Sequence, residues 1–100
     1  MVIVLFKVRT REGIDPDEYG ARFVKLLAAA KAIPGFVSIK GFSAEDGEEL
    51  ALVEFRNHDA LNQWRSQSDH MIAQDLGRST YYTQYQVQVC DMVREYKFKA

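Results

Sequence analysis

The chain has 100 residues, 47% of them apolar and 27% charged, with a formal net charge of -1. That length holds one domain over residues 1–100 with a single core, and the composition is that of a folded chain. A balance so near neutrality offers no electrostatic pull toward nucleic acid or an anionic membrane, and no apolar run approaches the roughly 20 residues that cross a bilayer, so neither partner is expected.

The stretch from Val2 to Arg9 is rich in β-branched and apolar residues and predicts a strand. Lys7 and Arg9 break its apolar start, and no basic segment precedes it, so it does not read as a signal peptide. Asp15-Pro16-Asp17-Glu18 then opens a helix: Asp15 caps, Pro16 suits the first helical position, and Glu18 stands where a capping box places a carboxylate. The inner stripe of this helix is Tyr19, Phe23, Leu26, Leu27 and Ala30, and Pro34-Gly35 stops it. A second strand, Phe36 to Ser43, turns through Ala44-Glu45-Asp46-Gly47-Glu48, whose Asp-Gly pair favours a hairpin. A third strand returns over Leu50 to Arg56. Asn57 or Asp59 caps a second helix with Leu61 and Trp64 on one face. A polar break at Ser66–Ser68 precedes a further helical stretch with Ile72 and Leu76 four apart and Gly77 near its end. The last strand is predicted over Tyr82 to Phe98.

Strand-helix-strand-strand-helix-strand in one short chain is the split β-α-β pattern, an α+β ferredoxin-like fold with an antiparallel sheet. The first strand is apolar on both faces (Val2, Val4, Phe6 and Val8 against Ile3 and Leu5), and so is the third (Ala51, Val53 and Phe55 against Leu50 and Leu52). Helices cover one face only. A second copy of the chain is the simplest cover for the other, which predicts a homodimer packed sheet to sheet. In the last strand Tyr85, Val87, Val89 and Val93 oppose Gln84, Gln86, Gln88, Cys90 and Met92, and such a glutamine row suits a wet interface or an edge.

Few residues point to chemistry. His58 and His70 have no partner at metal-ligand spacing, and no paired cysteines, phosphate-binding glycine loop or nucleophile elbow occurs, so no metal and no bound cofactor is expected. His58 falls at the start of the second helix, facing water. Cys90, the one cysteine, excludes an intramolecular disulfide, reads as a packing residue and agrees with a cytoplasmic location. Lys7, Arg9, Arg11, Arg94, Lys97 and Lys99, interrupted by Glu12 and Glu95, read as a solvated rim. Trp64 either packs in the core or lines a cavity toward which its indole N–H donates. His70 is either a solvated loop residue or a general base matched to neutral pH. Arg78 is a surface residue or a donor to an anionic oxygen at the pocket mouth. Tyr81, Tyr82 and Tyr85 are chiefly sheet-packing residues, with room for one phenol at the pocket.

Pro34-Gly35-Phe36, Val53-Glu54-Phe55, Trp64, His70, Ala73-Gln74, Gly77-Arg78 and Tyr85-Gln86-Val87, taken in order, resemble the antibiotic biosynthesis monooxygenase domain over nearly the whole chain. The resemblance implies two ferredoxin-like protomers joined as a dimeric α/β barrel, each with a pocket between sheet and helices. It implies a cofactor-independent monooxygenase acting on a phenolic, quinol or polyketide-like aromatic molecule, with Trp64, His70 and Arg78 as catalytic candidates. Phe6, Phe23, Met71, Gln74 and Tyr82 are then the substrate-binding candidates. Haem-degrading relatives use an Asn in the first strand and a His beyond the tryptophan; here the strand reads Leu5-Phe6-Lys7 and Gln74 stands ten positions past Trp64. Both depart from that pattern. A non-catalytic module binding a small aromatic metabolite, an isomerase or lyase using His70, and, less favoured, a haem-degrading monooxygenase in which His70 substitutes for the missing ligand are the competing readings.

Overall fold

The computed structural model describes residues 1–67 and 81–100. The elements in chain order are β1 (Val2–Thr10), α1 (Pro16–Lys31), β2 (Phe36–Ser43), β3 (Glu49–Phe55), α2 (His58–Arg65) and β4 (Tyr82–Asp91). The strands form one sheet in the order β2-β3-β1-β4, every neighbouring pair antiparallel. This is the expected ferredoxin-like arrangement. Among the described residues no helix is long and apolar enough to cross a membrane.

Register decides which side chains meet. Val4 lies opposite Val53 on one side and Val89 on the other, so these three share a face. On that face Val2, Val4, Val53 and Phe55 join Ile33, Ala60 and Leu61 in the buried core, with Phe36, Ile39 and Trp64 packed against it. The opposite face carries Ile3, Leu5, Leu50 and Leu52, all half-buried, and Phe42, which is 45% exposed. Both faces of the central strands are therefore apolar, as their sequences predict.

The helix starts follow the caps. The Asp15 carboxylate accepts from the backbone N–H groups of Asp17 at 2.9 Å and Glu18 at 3.3 Å, and Pro16 occupies the first turn. Glu18 does not close the expected capping box. Its carboxylate instead accepts from the Tyr81 hydroxyl at 3.1 Å and faces Arg22 Nε at 3.6 Å, partners supplied by tertiary structure and by the next turn. Asn57, of the two candidates, caps α2, accepting from the Ala60 N–H at 2.9 Å. Gly35 lets that helix dock: its φ is +97°, and a Cβ there would lie 2.9 Å from the Ala60 Cβ.

The β2–β3 turn closes through Ala44 N–H to Glu48 O at 2.8 Å, with Gly47 at φ +93°. Arg9, from the end of β1, grips this turn, donating to the Asp46 carbonyl at 3.0 Å and its carboxylate at 2.8 Å. The Glu48 backbone N–H and then the Arg9 guanidinium hold the Asp46 carboxyl below its ordinary range.

Two further expectations change. The last strand stops at Asp91, not Phe98, because Asp91 pairs with Val2 at the start of β1 and Met92 N–H to Met1 O, 3.0 Å, is the last rung; beyond it the neighbouring strand has ended. Phe23, placed on the inner stripe of α1, is 42% exposed, whereas Ala30 further along is fully buried. The helix is close to the sheet at its C-terminal end and stands off it at Phe23, where a cavity opens beneath. The expected helical stretch around Ile72 and Leu76 lies outside the described residues.

Candidate active site

The space under α1 and α2, on the core face of the sheet, is a cavity of about 750 Å³, within the range of small-molecule sites. Its floor is the alternating inner row of β1 (Val4, Phe6, Val8), continued by Val53 and Ala51 on β3 and by Tyr85, Val87 and Val89 on β4. Pro16, Tyr19, Phe23 and Leu26 of α1 form one wall, and Leu61, Trp64 and Arg65 of α2 another. Val87 and Val89 are each 44% exposed, as Phe23 nearly is, so apolar surface faces this cavity without filling it.

Trp64 packs against the core and is also among the residues that line the cavity. Its ring lies 5.6 Å from that of Phe55, tilted by 40°. Leu61, one turn earlier on the same face, is buried. That i, i+3 pair is why α2 turns this face to the sheet.

The other end of the cavity is aromatic and polar. Phe6 packs against both Tyr82 and Tyr85, with ring centroids at 5.9 and 6.0 Å, and the two tyrosine rings meet each other at 6.3 Å. Tyr19 of α1 meets Tyr82 edge-on at 6.0 Å, and their hydroxyl oxygens are 2.9 Å apart. Tyr81 is buried behind them and donates to Glu18. Burial, then the hydrogen bond to Tyr19, pushes the Tyr82 hydroxyl far above the ordinary phenol range, and burial with the Glu18 bond raises Tyr81. Both tyrosines are therefore neutral at any physiological pH. Thr10 and Glu49 complete this end, with the Glu49 carboxylate accepting from Ser43 Oγ at 2.6 Å.

Of the residues singled out in the sequence, Phe6, Phe23, Trp64 and Tyr82 are brought to this one cavity. His70, Met71, Gln74 and Arg78 lie outside the described residues. His58 is exposed at the start of α2, where its Nε2 is 2.7 Å from Asp91 Oδ1, tying that helix to the end of β4 and not to the cavity. Cys90 is exposed rather than packed, since it opposes Ile3 on the outer face of the sheet. Among the described residues no group of three or more His, Cys, Asp or Glu is placed to hold a metal ion.

Sequence reasoning did not name Tyr19, Thr10, Glu49 or Arg65 as site residues. Tyr19 carried a signal, being the first member of the inner stripe, and a position near the helix start faces the end of the preceding strand. Thr10 and Glu49 carried none, because they reach the cavity only through the pairings Thr10–Tyr82 and Val8–Glu49.

No family model matches the chain. An uncharacterized protein of Bacillus subtilis, YqjZ, is 30% identical over 81 residues, which cover 81% of this chain and 71% of that protein. Among solved structures, Rv0793 of Mycobacterium tuberculosis superposes with a TM-score of 0.81 at 18% identity, over 96% of this chain and 98% of its own. SnoaB, a cofactor-independent oxygenase of Streptomyces nogalater, superposes with a TM-score of 0.74 at 16% identity, over 94% of both chains. An antibiotic biosynthesis monooxygenase is among the other matched structures.

Proposed function

The chain belongs to the family of Bacillus subtilis YqjZ and has the antibiotic biosynthesis monooxygenase-like ferredoxin fold, and on that footing we propose that it is a small cofactor-independent monooxygenase for a flat phenolic or quinol-type molecule. The observation that carries this reading is the cavity of about 750 Å³, walled by Phe6, Phe23 and Trp64, with the hydroxyl groups of the described lining residues gathered at one end. Aromatic and aliphatic walls fit a planar ring system, and a few convergent polar groups orient it. The likeness to SnoaB, described as a cofactor-independent oxygenase, supports the same class of chemistry.

The reaction balances without a reductant from outside. A ring CH2 across the ring from a carbonyl, or the para C–H of a phenol, reacts with O2; one oxygen atom becomes the new carbonyl and the other leaves as water, with the two CH2 hydrogens or with the para C–H and phenol O–H hydrogens. The substrate supplies all the electrons, which requires its enolate or phenolate. The protein's part is to exclude water around the flat anion, take up the proton and donate hydrogen bonds to the oxyanion. In this reading Trp64, Phe6 and Phe23 are the walls, His70 is the base, Arg78 steadies the oxyanion, and Met71, Gln74 and Tyr82 bind the substrate. The β1 positions that face the cavity, Val4, Phe6, Val8 and Thr10, include no Asn of the kind haem-degrading relatives use, which favours this reading over haem degradation.

The working unit in this reading is a homodimer, with Ile3, Leu5, Leu50, Leu52 and Phe42 of one protomer covered by the same face of its partner. The test of function is isotopic. Turnover of an anthrone or a naphthol under 18O2 should place one labelled oxygen in the product, and His70→Ala and Trp64→Phe should each lower the rate at least tenfold. Unlabelled product, or full turnover by both variants, contradicts the assignment. Tight binding with no oxygen consumed would instead make the chain a binding module.

A further inference from the structure

We propose that the paired hydroxyls of Tyr19 and Tyr82 are the cavity's oxygen-recognition element, holding one uncharged phenol or carbonyl oxygen and so fixing which end of a flat ligand points away from Trp64. The inference rests on the reading of the cavity as an aromatic-substrate site and adds the ligand's orientation and charge class to it.

Two phenol side chains carry two O–H groups, and their mutual contact at 2.9 Å uses one. Among the described residues neither hydroxyl has another hydrogen-bond partner. One O–H is left to donate to a ligand oxygen, and lone pairs remain to accept from a ligand hydroxyl. A phenol that accepts one hydrogen bond while donating another is polarised into a stronger donor. Both tyrosines line the cavity, one from α1 and one from β4, so the pair bridges wall and floor.

The surroundings define the charge of the oxygen. Thr10 adds a third hydroxyl, and Glu49 places a carboxylate at the same end, since Val8 pairs with both Glu49 and Tyr85. An anionic group would meet a like charge there, whereas a phenol or ring carbonyl would not. Trp64 lies toward the other end, against Phe55, whose register partner is Val2. From the level of Val4 to that of Thr10 a strand rises about 20 Å, enough for a fused-ring system to lie lengthwise with one oxygen in the tyrosine pair.

Trp64, the single tryptophan, is a built-in reporter on the cavity wall. Binding of 1-naphthol and of naphthalene would be measured by calorimetry and by Trp64 emission on the parent protein, Tyr82→Phe and Tyr19→Phe. Loss of one hydrogen bond should weaken 1-naphthol by about five- to tenfold in each variant and leave naphthalene within twofold of the parent. Each substitution keeps the ring, and a thermal melt by circular dichroism verifies the fold. If both variants bind 1-naphthol as the parent does, the tyrosine pair is not the recognition element, while the aromatic site stands. If the parent binds neither compound, the site reading itself falls and takes this inference with it.

Discussion

At the scale of single residues, Gly35, Phe55 and Tyr82 carry the most testable consequences. Gly35 combines φ +97° with a missing Cβ that would sit 2.9 Å from Ala60, so Gly35→Ala should destabilise the fold by about 2 kcal/mol in a denaturant titration. Phe55 is fully buried between Phe36 and Trp64. Phe55→Ala should cost about 3–5 kcal/mol, and a loss below 1 kcal/mol would show that the cluster is not the core. Tyr82 gives a pH dependence. Its folded-state value is raised above the ordinary 10.0, first by burial and then by Tyr19. The unfolded chain releases this proton as the pH passes about 10 while the folded chain keeps it, so the group's contribution is complete below that pH and is lost progressively above it. Between about pH 9 and pH 11 Tyr82→Phe should lose less stability than the parent; equal losses would contradict the burial of that hydroxyl.

At the scale of elements, the local signals in the sequence were sufficient wherever the deciding partner lay within a few residues. Asp15, Pro16, Asp46-Gly47 and Asn57 each act on backbone groups near them, and the starts of both helices and the hairpin turn stand where those residues indicate. Asn57→Ala should cost about 1 kcal/mol, read from the denaturation midpoint. The end of β4 was not legible in this way. Tyr82 to Phe98 keeps strand-like composition throughout, yet pairing stops at Asp91 because β1 has no residue left to offer. Glu18 was diverted from its capping role for the same kind of reason: Tyr81, 63 positions away, supplies a buried hydroxyl. The site was legible to the same degree. Trp64 and Phe6 announced it by type and spacing, whereas Thr10 and Glu49 enter only through cross-strand register, which one chain's sequence does not print.

At the scale of the whole molecule, two surfaces shape the account. The outer sheet face is apolar at its centre and edged by Gln86 and Gln88, and in the proposed homodimer sheet-to-sheet association of two copies would remove it from water. Light scattering at micromolar concentration should return the mass of a dimer, and Leu52→Glu, which sets a charge at the middle of that face, should return a monomer with the cavity face unchanged. A monomeric parent would remove the dimer from the account. The inner face is the other surface, where α1 and α2 close on the core at one end of the sheet and line the cavity toward the other. The central claim is that this cavity oxidises a flat aromatic substrate with O2 and nothing else. An oxygen electrode tests it most directly, with chelator-treated protein and a panel of anthrones, naphthols and hydroquinones. Uptake above the uncatalysed rate for at least one of them, unchanged by chelator and stoichiometric with product, is the predicted result; oxygen uptake at the background rate across the whole panel would contradict it.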